Sequence, residues 1–397
     1  MLKVLHIEDR FHPELGYQLN FFSKYHNPLI DMTILTSGSL SYWNRNDGQD
    51  LSIIDRKFEQ ENHIKVVRLK SLFSRKRKAN LILLGLRKKI KEISPDIIYI
   101  HALETWTCLK LFLMPSVINN CIIYTDTHTL LNQFRGGAVE KFHMMLLKMI
   151  IVRKINKRKI KVLYTVEENR LIAENKYGIS PGNIFPCPIG TDLSVYFYSE
   201  EMRDLLRKQF KVENAETVII YSGKINDFKK PHLIVDALKL IQQDITSVVR
   251  VILVGAADEK YLQILIQTSK DNNKIKVEYI GLVPNAELYK YYSMADFAVF
   301  PRENSLSSLD VQACNLPLIM ENDVTNTERL KHGGFVYEKD NIHDLADKIR
   351  IFVNDEGLRK KMGRAGKTYV EKHYNYMEIV KNLEDQFFID SPKKDRA

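Results

Sequence analysis

Two lysines stand six positions apart in Tyr221-Ser222-Gly223-Lys224-Ile225-Asn226-Asp227-Phe228-Lys229-Lys230, a polar stretch directly after a β-rich apolar run. An ammonium binds phosphate as a point charge, and a loop at the carboxyl end of a strand can aim Lys224 and Lys230 at one diphosphate. A solvated basic turn would have the same composition. A second stretch runs from Phe300 through Pro301, Arg302, Glu303, Asn304, Ser305, Leu306, Ser307 and Ser308 to Asp310. It reads as a strand end, a loop carrying Glu303, and a helix that starts near Ser307 with Asp310 on its first turn. Backbone N–H groups around Ser305, Leu306 and Ser307 would be free to bind phosphate oxygens, helped by the helix dipole. The two carboxylates could then hold a ribose diol and a sugar hydroxyl. Capping alone is the other reading of Ser307 and Asp310.

The elements that must position these residues are strands in a regular rhythm. Apolar runs at 2–7, 31–36, 64–68, 97–101, 121–125 and 161–165 alternate with helical patterns, and the rhythm restarts at 217–221, 250–254, 276–280, 297–300, 317–320 and 335–337. Alternation of that kind implies parallel sheets, so the chain reads as two doubly wound α/β domains. The predicted domains are 1–195 and 196–373, with a C-terminal helix at about 374–390 that can pack back on the first. A length of 397 residues also fits two cores better than one. Ligands of such sheets bind beyond the carboxyl ends of the strands. That rule draws attention to Gly16 in His12-Pro13-Glu14-Leu15-Gly16-Tyr17-Gln18 and to His128 in Tyr124-Thr125-Asp126-Thr127-His128. A lone strand-end histidine is as a rule a satisfied structural group.

The net charge of +10 is carried by one half: residues 1–200 hold 29 Lys and Arg against 19 Asp and Glu, and residues 201–397 hold 30 against 30. Such asymmetry points to an anionic partner for the first half, a nucleic acid or an acidic lipid surface. Cys108, Cys121, Cys187 and Cys314 have neither CxxC spacing nor nearby histidines, which argues against a zinc site or a disulfide framework and for a reducing compartment. The N-terminus reads as a strand, and no apolar run approaches the ~20 residues a spanning helix needs.

Several motifs together resemble retaining glycosyltransferases of the GT-B fold, family four. Gly223-Lys224 with Lys230, the segment Ile280-Gly281-Leu282-Val283-Pro284-Asn285-Ala286-Glu287-Leu288, Ala295-Asp296, and Glu303 to Cys314 before Leu316-Pro317 are similar to that family's second domain. The Gly16 loop, the segments ending at His101 and His128, and Ile189-Gly190-Thr191-Asp192 are similar to its first domain and linker. The sequence departs from the family pattern at Asp310, which replaces a glutamate and lies seven positions after Glu303 where eight is usual, at Asn315 in place of glycine, at Lys224 in place of arginine, and in having Gly16 as the loop's one glycine.

The resemblance implies two Rossmann-like domains facing a central cleft, and transfer of a hexose from a nucleotide diphosphate donor, UDP-sugar favoured, with retention and without a required cofactor or metal. It implies that Lys224, Lys230, Gly223, Gly16 and the Ser305–Ser307 amides hold the diphosphate, that Glu303 holds sugar hydroxyls, that Asp310 holds the ribose, that Leu282 and Val283 flank the base, and that His128 contacts the sugar or the acceptor. The implied acceptor is a saccharide or a polyprenyl or other lipid-linked saccharide of bacterial-type surface polysaccharide or glycolipid synthesis.

Residues 139–161 mix Phe142, Met144, Met145, Leu147, Met149 and Ile151 with Lys148, Arg153, Lys154, Lys157, Arg158, Lys159 and Lys161, and Ser74-Arg75-Lys76-Arg77-Lys78 adds a second basic cluster. A basic amphipathic helix of this kind can lie on an anionic bilayer, which would make the protein cytoplasmic and peripheral on the inner face of the cell membrane. A core-packed helix with a solvated cationic side is the alternative. Two other functions stay open at this point: a sugar-nucleotide epimerase or phosphorylase on the same architecture, and a basic membrane- or nucleic-acid-binding module with a degenerate cleft. No RNA-binding aromatic motif, helix-turn-helix or zinc finger supports nucleic acid.

Overall fold

The computed structural model describes residues 1–39, 50–72, 81–131, 134, 136–267, 272–302 and 306–391. The chain divides into two compact units, Met1–Ile189 with the return segment from Tyr376, and Gly190–Asn375.

The first unit contains β1 (Leu2–Glu8), β2 (Ile30–Ser37), β3 (Lys65–Leu69), a two-residue antiparallel ladder of β4 (Ser71–Leu72) and β5 (Ile82–Leu83), then β6 (Ile97–Ile100), β7 (Ile122–Thr127), β8 (Lys161–Tyr164) and β9 (Ile184–Pro186). Seven of them form one sheet in the order β3-β2-β1-β6-β7-β8-β9, parallel throughout. Helices cover such a sheet on both faces, so its central strands read as unbroken apolar runs; all four residues of β6 are buried. The order reverses between β1 and β6, which places the topological switch point between Glu8 and Ile100.

The second unit repeats the plan with β10 (Thr217–Ser222), β11 (Val249–Val254), β12 (Ile275–Gly281), β13 (Phe297–Phe300), β14 (Leu318–Glu321) and β15 (Gly334–Tyr337). The order is β12-β11-β10-β13-β14-β15, again parallel, and the switch point lies between β10 and β13. Every residue of β10, β11 and β13 is buried. Arg250 is buried inside that core because Glu216, at 2.7 Å, and Glu278 neutralise it.

The structure moves the division between units to Ile189–Gly190, where the sequence reading places it near 195. Backbone pairing explains the difference: Thr191 N–H donates to the Tyr374 carbonyl at 2.7 Å, and Thr191 bridges Asn375, so Gly190–Val195 is tied into the second unit. The helix Tyr376–Asp390 packs on the first unit. Tyr376 stacks on Phe21 at 4.1 Å, Val380 and Phe387 are buried, and Asp390 meets Lys161 Nζ at 2.6 Å and the Tyr124 hydroxyl. Strand β9 is absent from the sequence reading because its three residues end in Pro186, which an edge strand tolerates.

The basic segment forms a helix at Ala138–Leu146, a π-helical turn at Leu147–Val152 and a helix at Arg153–Arg158. Its apolar residues divide into two sets. Leu147, Ile151, Val152 and Ile155 enter the core, while Phe142, Met145 and Met149 remain 55%, 46% and 62% exposed. The cluster at 74–78 lies outside the described residues.

Candidate functional site

In the second unit Gly223, Lys224 and Lys230, expected to bind phosphate, follow the carboxyl end of β10, beside the switch point. Gly223 N–H donates to the Val254 carbonyl at 2.9 Å and Gly255 N–H to the Gly281 carbonyl at 2.8 Å, so the ends of β10, β11 and β12 are laced together. That lacing sets Lys224 and the Gly281-Leu282-Val283 turn on one edge. Leu282 is 79% exposed, and Val283 packs partly against the core.

The Lys224–Lys230 loop is built, not free. Ile225 is its buried anchor and pairs with Ala257. The Tyr221 hydroxyl donates to the Lys224 carbonyl at 2.8 Å. Asn226 accepts from Lys229 N–H through its side chain at 2.9 Å and from Lys230 N–H through its carbonyl at 3.0 Å. Lys230 has φ +49°, a conformation L residues rarely adopt. Lys224 is exposed and Lys230 half-buried, and among the described residues neither forms an ion pair. Unpaired ammoniums on a pinned loop are available to an anion.

The helix after β13 spans Ser307–Ala313 and carries Asp310 in its first turn. Leu306, exposed, sits at its N-cap without a side-chain cap, and Glu303 and Ser305 lie outside the described residues. Asp310 is held from the linker: Thr191 Oγ1 donates to its Oδ1 at 2.6 Å. Burial pushes the Asp310 carboxyl up to about 7, against the Thr191 hydrogen bond and with the help of neighbouring Asp192. Tyr292 links this helix to β10, since its hydroxyl lies 2.8 Å from Ser222 Oγ and bonds Ser307. Thr191, Ser222 and Tyr292 carry no signal of this role in the sequence beyond the Thr191-Asp192 segment.

In the first unit Gly16 has φ +66°, with open space where a Cβ would stand. Asn20 fixes its loop by donating to the carbonyls of His12 at 3.2 Å and Pro13 at 2.5 Å and by accepting from Tyr17 N–H at 2.7 Å. His128 follows β7, and its Nε2 lies 3.4 Å from Asp126 Oδ1. Asp126 also accepts from Tyr99 Oη at 2.7 Å, His101 Nδ1 at 2.9 Å and Ala102 N–H at 2.5 Å. His101 Nε2 in turn lies 3.1 Å from His6 Nδ1.

Burial would raise the Asp126 carboxyl, but the facing rings of His128 and His101 outweigh it and hold it well below the usual carboxylate range. Burial would lower His128, yet Asp126, with Glu8 and Glu104, lifts it to about 9. His6 is pushed down by burial and by His101. Burial raises Glu8, at the end of β1. Sequence reasoning singles out the segments ending at His101 and His128 here, and names His128 alone as a site residue. The one available signal for the others is a histidine within β1, His6, and one directly after each of β6 and β7, His101 and His128. Among the described residues no group of three or more His, Cys, Asp or Glu could hold a metal, and no helix is long and apolar enough to cross a membrane.

Residues 202–369 match the family described as glycosyl transferases group 1. The Staphylococcus aureus capsular polysaccharide biosynthesis glycosyltransferase CapM is 27% identical over 197 residues, covering 46% of this chain and 49% of that protein. A D-inositol 3-phosphate glycosyltransferase of Corynebacterium aurimucosum is 23% identical over 239 residues, covering 57% and 56%. The chain thus spans about half the length of these relatives. Among solved structures, that of Anabaena HepE in complex with UDP has a TM-score of 0.71 at 17% identity, covering 97% of this chain and 99% of that one. A glycosyltransferase of Rickettsia africae has a TM-score of 0.72 at 17% identity, covering 99% of each. These likenesses show the GT-B fold of two Rossmann-like units.

Proposed function

We propose, from the premise that residues 202–369 are a glycosyltransferase group 1 domain, that this chain moves a hexose from a nucleotide diphosphate donor to a saccharide or lipid-linked acceptor with retention at the anomeric carbon. The observation that carries the reading is that two unpaired lysines follow β10 while the helix after the adjacent strand β13 carries a carboxyl fixed by Thr191. Lys224 and Lys230 neutralise the departing diphosphate, the interaction that strengthens most as the glycosidic bond breaks. Asp310 takes the ribose diol, Glu303 the sugar hydroxyls, Leu282 and Val283 the base. The acceptor oxygen bonds to the anomeric carbon as the bond to phosphate breaks, and the acceptor proton passes to the departing phosphate oxygen. No enzyme nucleophile and no cofactor beyond the donor is invoked.

The UDP and UDP-glucose complexes of HepE support a UDP-sugar donor, and the capsular role in the name of CapM supports a surface polysaccharide or glycolipid acceptor. The exposed Phe142, Met145 and Met149 beside Lys141, Lys148 and Arg153 support a cytoplasmic protein held peripherally on an anionic membrane.

A thermal-shift screen of sugar nucleotides tests the reading. A donor at 100 times its Kd adds ~2.7 kcal/mol of stability, a shift of several degrees. The expected order is UDP-sugars ahead of other nucleotides, followed by release of nucleoside diphosphate that depends on an added acceptor and gives a product of unchanged anomeric configuration. A flat screen across all common donors overturns the proposal.

A further inference from the structure

The first unit's buried histidine cluster is larger than one strand-end histidine needs, and Asp126 is its centre. Four groups converge on one carboxyl: Tyr99 Oη and His101 Nδ1 on Oδ2, Ala102 N–H and His128 Nε2 on Oδ1. The first three are hydrogen bonds in which the partner donates, and a carboxylate can accept from all four where a protonated acid cannot. Ala102 takes φ +60° in doing so, a backbone cost borne at the point where its N–H meets Asp126. With Nδ1–H committed to Asp126, His101 can accept a second hydrogen bond through Nε2 from His6 Nδ1–H. The cluster is therefore satisfied with Asp126 ionised.

His128 differs from His6 and His101 in being 38% exposed. Its Nε2 faces the carboxylate, which leaves Nδ1 as the nitrogen for a ligand. We propose that Asp126 is a positioning residue that holds His128 by Nε2, so that His128 meets its ligand through Nδ1–H as a hydrogen-bond donor and not as a base. This rests on the proposed transfer reaction and on the contact with the sugar or the acceptor that the family resemblance implies for His128. A donor there suits a sugar or acceptor oxygen. The charged groups facing His128 from the neighbouring elements, Glu8 at the end of β1, Glu104 after β6 and Asp126 itself, all favour the imidazolium. The carboxylate–histidine contact supplies orientation, as an outer carboxylate does for a histidine ligand.

The test uses the full chain labelled with 15N-histidine, followed by NMR from pH 5 to 10. In the unsubstituted protein His128 should titrate near 9 with Nε2 protonated. In Asp126→Asn it should fall toward the ordinary 6.5, while Tyr99→Phe, which keeps the carboxylate, should leave it high. With the donor identified, Asp126→Asn should lower kcat about tenfold or more with little change in KM and bring the alkaline limb of the pH–rate profile down toward neutrality. His128→Ala combined with Asp126→Asn should be no slower than His128→Ala alone. Titration of His128 near 6.5 in the unsubstituted protein, or a double variant whose losses multiply, overturns the proposal. The NMR measurement needs no donor, so failure of the transfer reading and failure of this one are separable.

Discussion

Thr191 Oγ1 donates to Asp310 Oδ1 across 2.6 Å, joining the segment that enters the second unit to the first turn of the Ser307–Ala313 helix. Asp310 titrates near 7 because burial opposes its charge. Only the ionised form is a full acceptor for a ribose diol, so nucleoside diphosphate affinity should weaken as pH falls through about 7, approaching tenfold per pH unit well below the midpoint. Thr191→Val removes a bond that favours the carboxylate and should move this midpoint upward; Asp310→Asn should abolish the pH dependence. The stability consequence has the opposite sign. A carboxyl raised in the folded state contributes stability that is present below its unfolded value, 3.8, and lost as pH rises through about 7. Asp310→Asn, which can still accept from Thr191, should therefore be at least as stable as the parent at pH 8 while binding nucleotide less tightly. Calorimetric titration at pH 6, 7 and 8, with melting curves at the same values, measures both.

A Cβ at Gly255 would lie 2.0 Å from the Gly223 carbonyl oxygen, and Gly255 has φ +136°. The neighbour is backbone and cannot rotate away, so Gly255→Ala must push β10 and β11 apart at the edge that carries Lys224. A loss of about 3 kcal/mol is expected, combining strain with overpacking. Because the chain has two units, the transition to follow in urea is that of the second. Gly16→Ala is the comparison: open space surrounds Gly16, so only its φ of +66° resists a side chain and the loss should be nearer 1 kcal/mol.

Lys224→Gln and Lys230→Asn should each weaken donor binding tenfold or more, since each removes a full charge from the diphosphate. Asparagine is chosen at Lys230 because it tolerates φ near +49° better than other side chains. Neither lysine forms an ion pair among the described residues, so melting temperatures should move by less than ~2 °C. The salt dependence of donor binding should become shallower in both variants. Equal loss of binding and stability at Lys230 would make it a loop-building residue.

How far the sequence carried this picture depends on the range of the interaction. The strands of both sheets other than β9 and the start of the helix at Ser307 follow from local apolar runs and breaks, and the residues immediately after β10 and β13 stand out because chemistry in a parallel sheet gathers at strand ends. Asp126 is another matter. Its partners come from β6 and from the segments directly after β6 and β7, and His6, 95 positions from His101, joins through β1. Only the register that sets His6 opposite Tyr99 and Ile100 opposite Thr125 brings them together. Tyr292 reaches Ser222 across 70 positions because its helix, Leu288–Met294, packs against β10. The basic helix shows the converse: its composition was legible, but the π-helical turn at Leu147–Val152 decides which apolar residues enter the core and which stay outside.

That division makes membrane attachment measurable. Phe142, Met145 and Met149 recur at intervals of three and four on the exposed side of the segment, with Lys141, Lys148 and Arg153 also exposed. Each cation near an anionic bilayer adds ~1 kcal/mol of attraction, and an exposed apolar side chain gains a further 1.5–3 kcal/mol, about that much, when it is fully buried. Sedimentation with vesicles containing phosphatidylglycerol should therefore retain the protein, and pure phosphatidylcholine vesicles should retain far less. Raising the salt should weaken binding without abolishing it, because the apolar contribution is not screened. Phe142→Ser with Met149→Ser should lower vesicle affinity at least tenfold and leave the melting temperature unchanged, since both side chains already face water. Lys148→Glu with Arg153→Glu should lower it further and steepen its dependence on lipid charge. Binding to duplex or single-stranded nucleic acid in place of vesicles, or vesicle binding indifferent to all four substitutions, would assign the positive charge of the first unit to another partner.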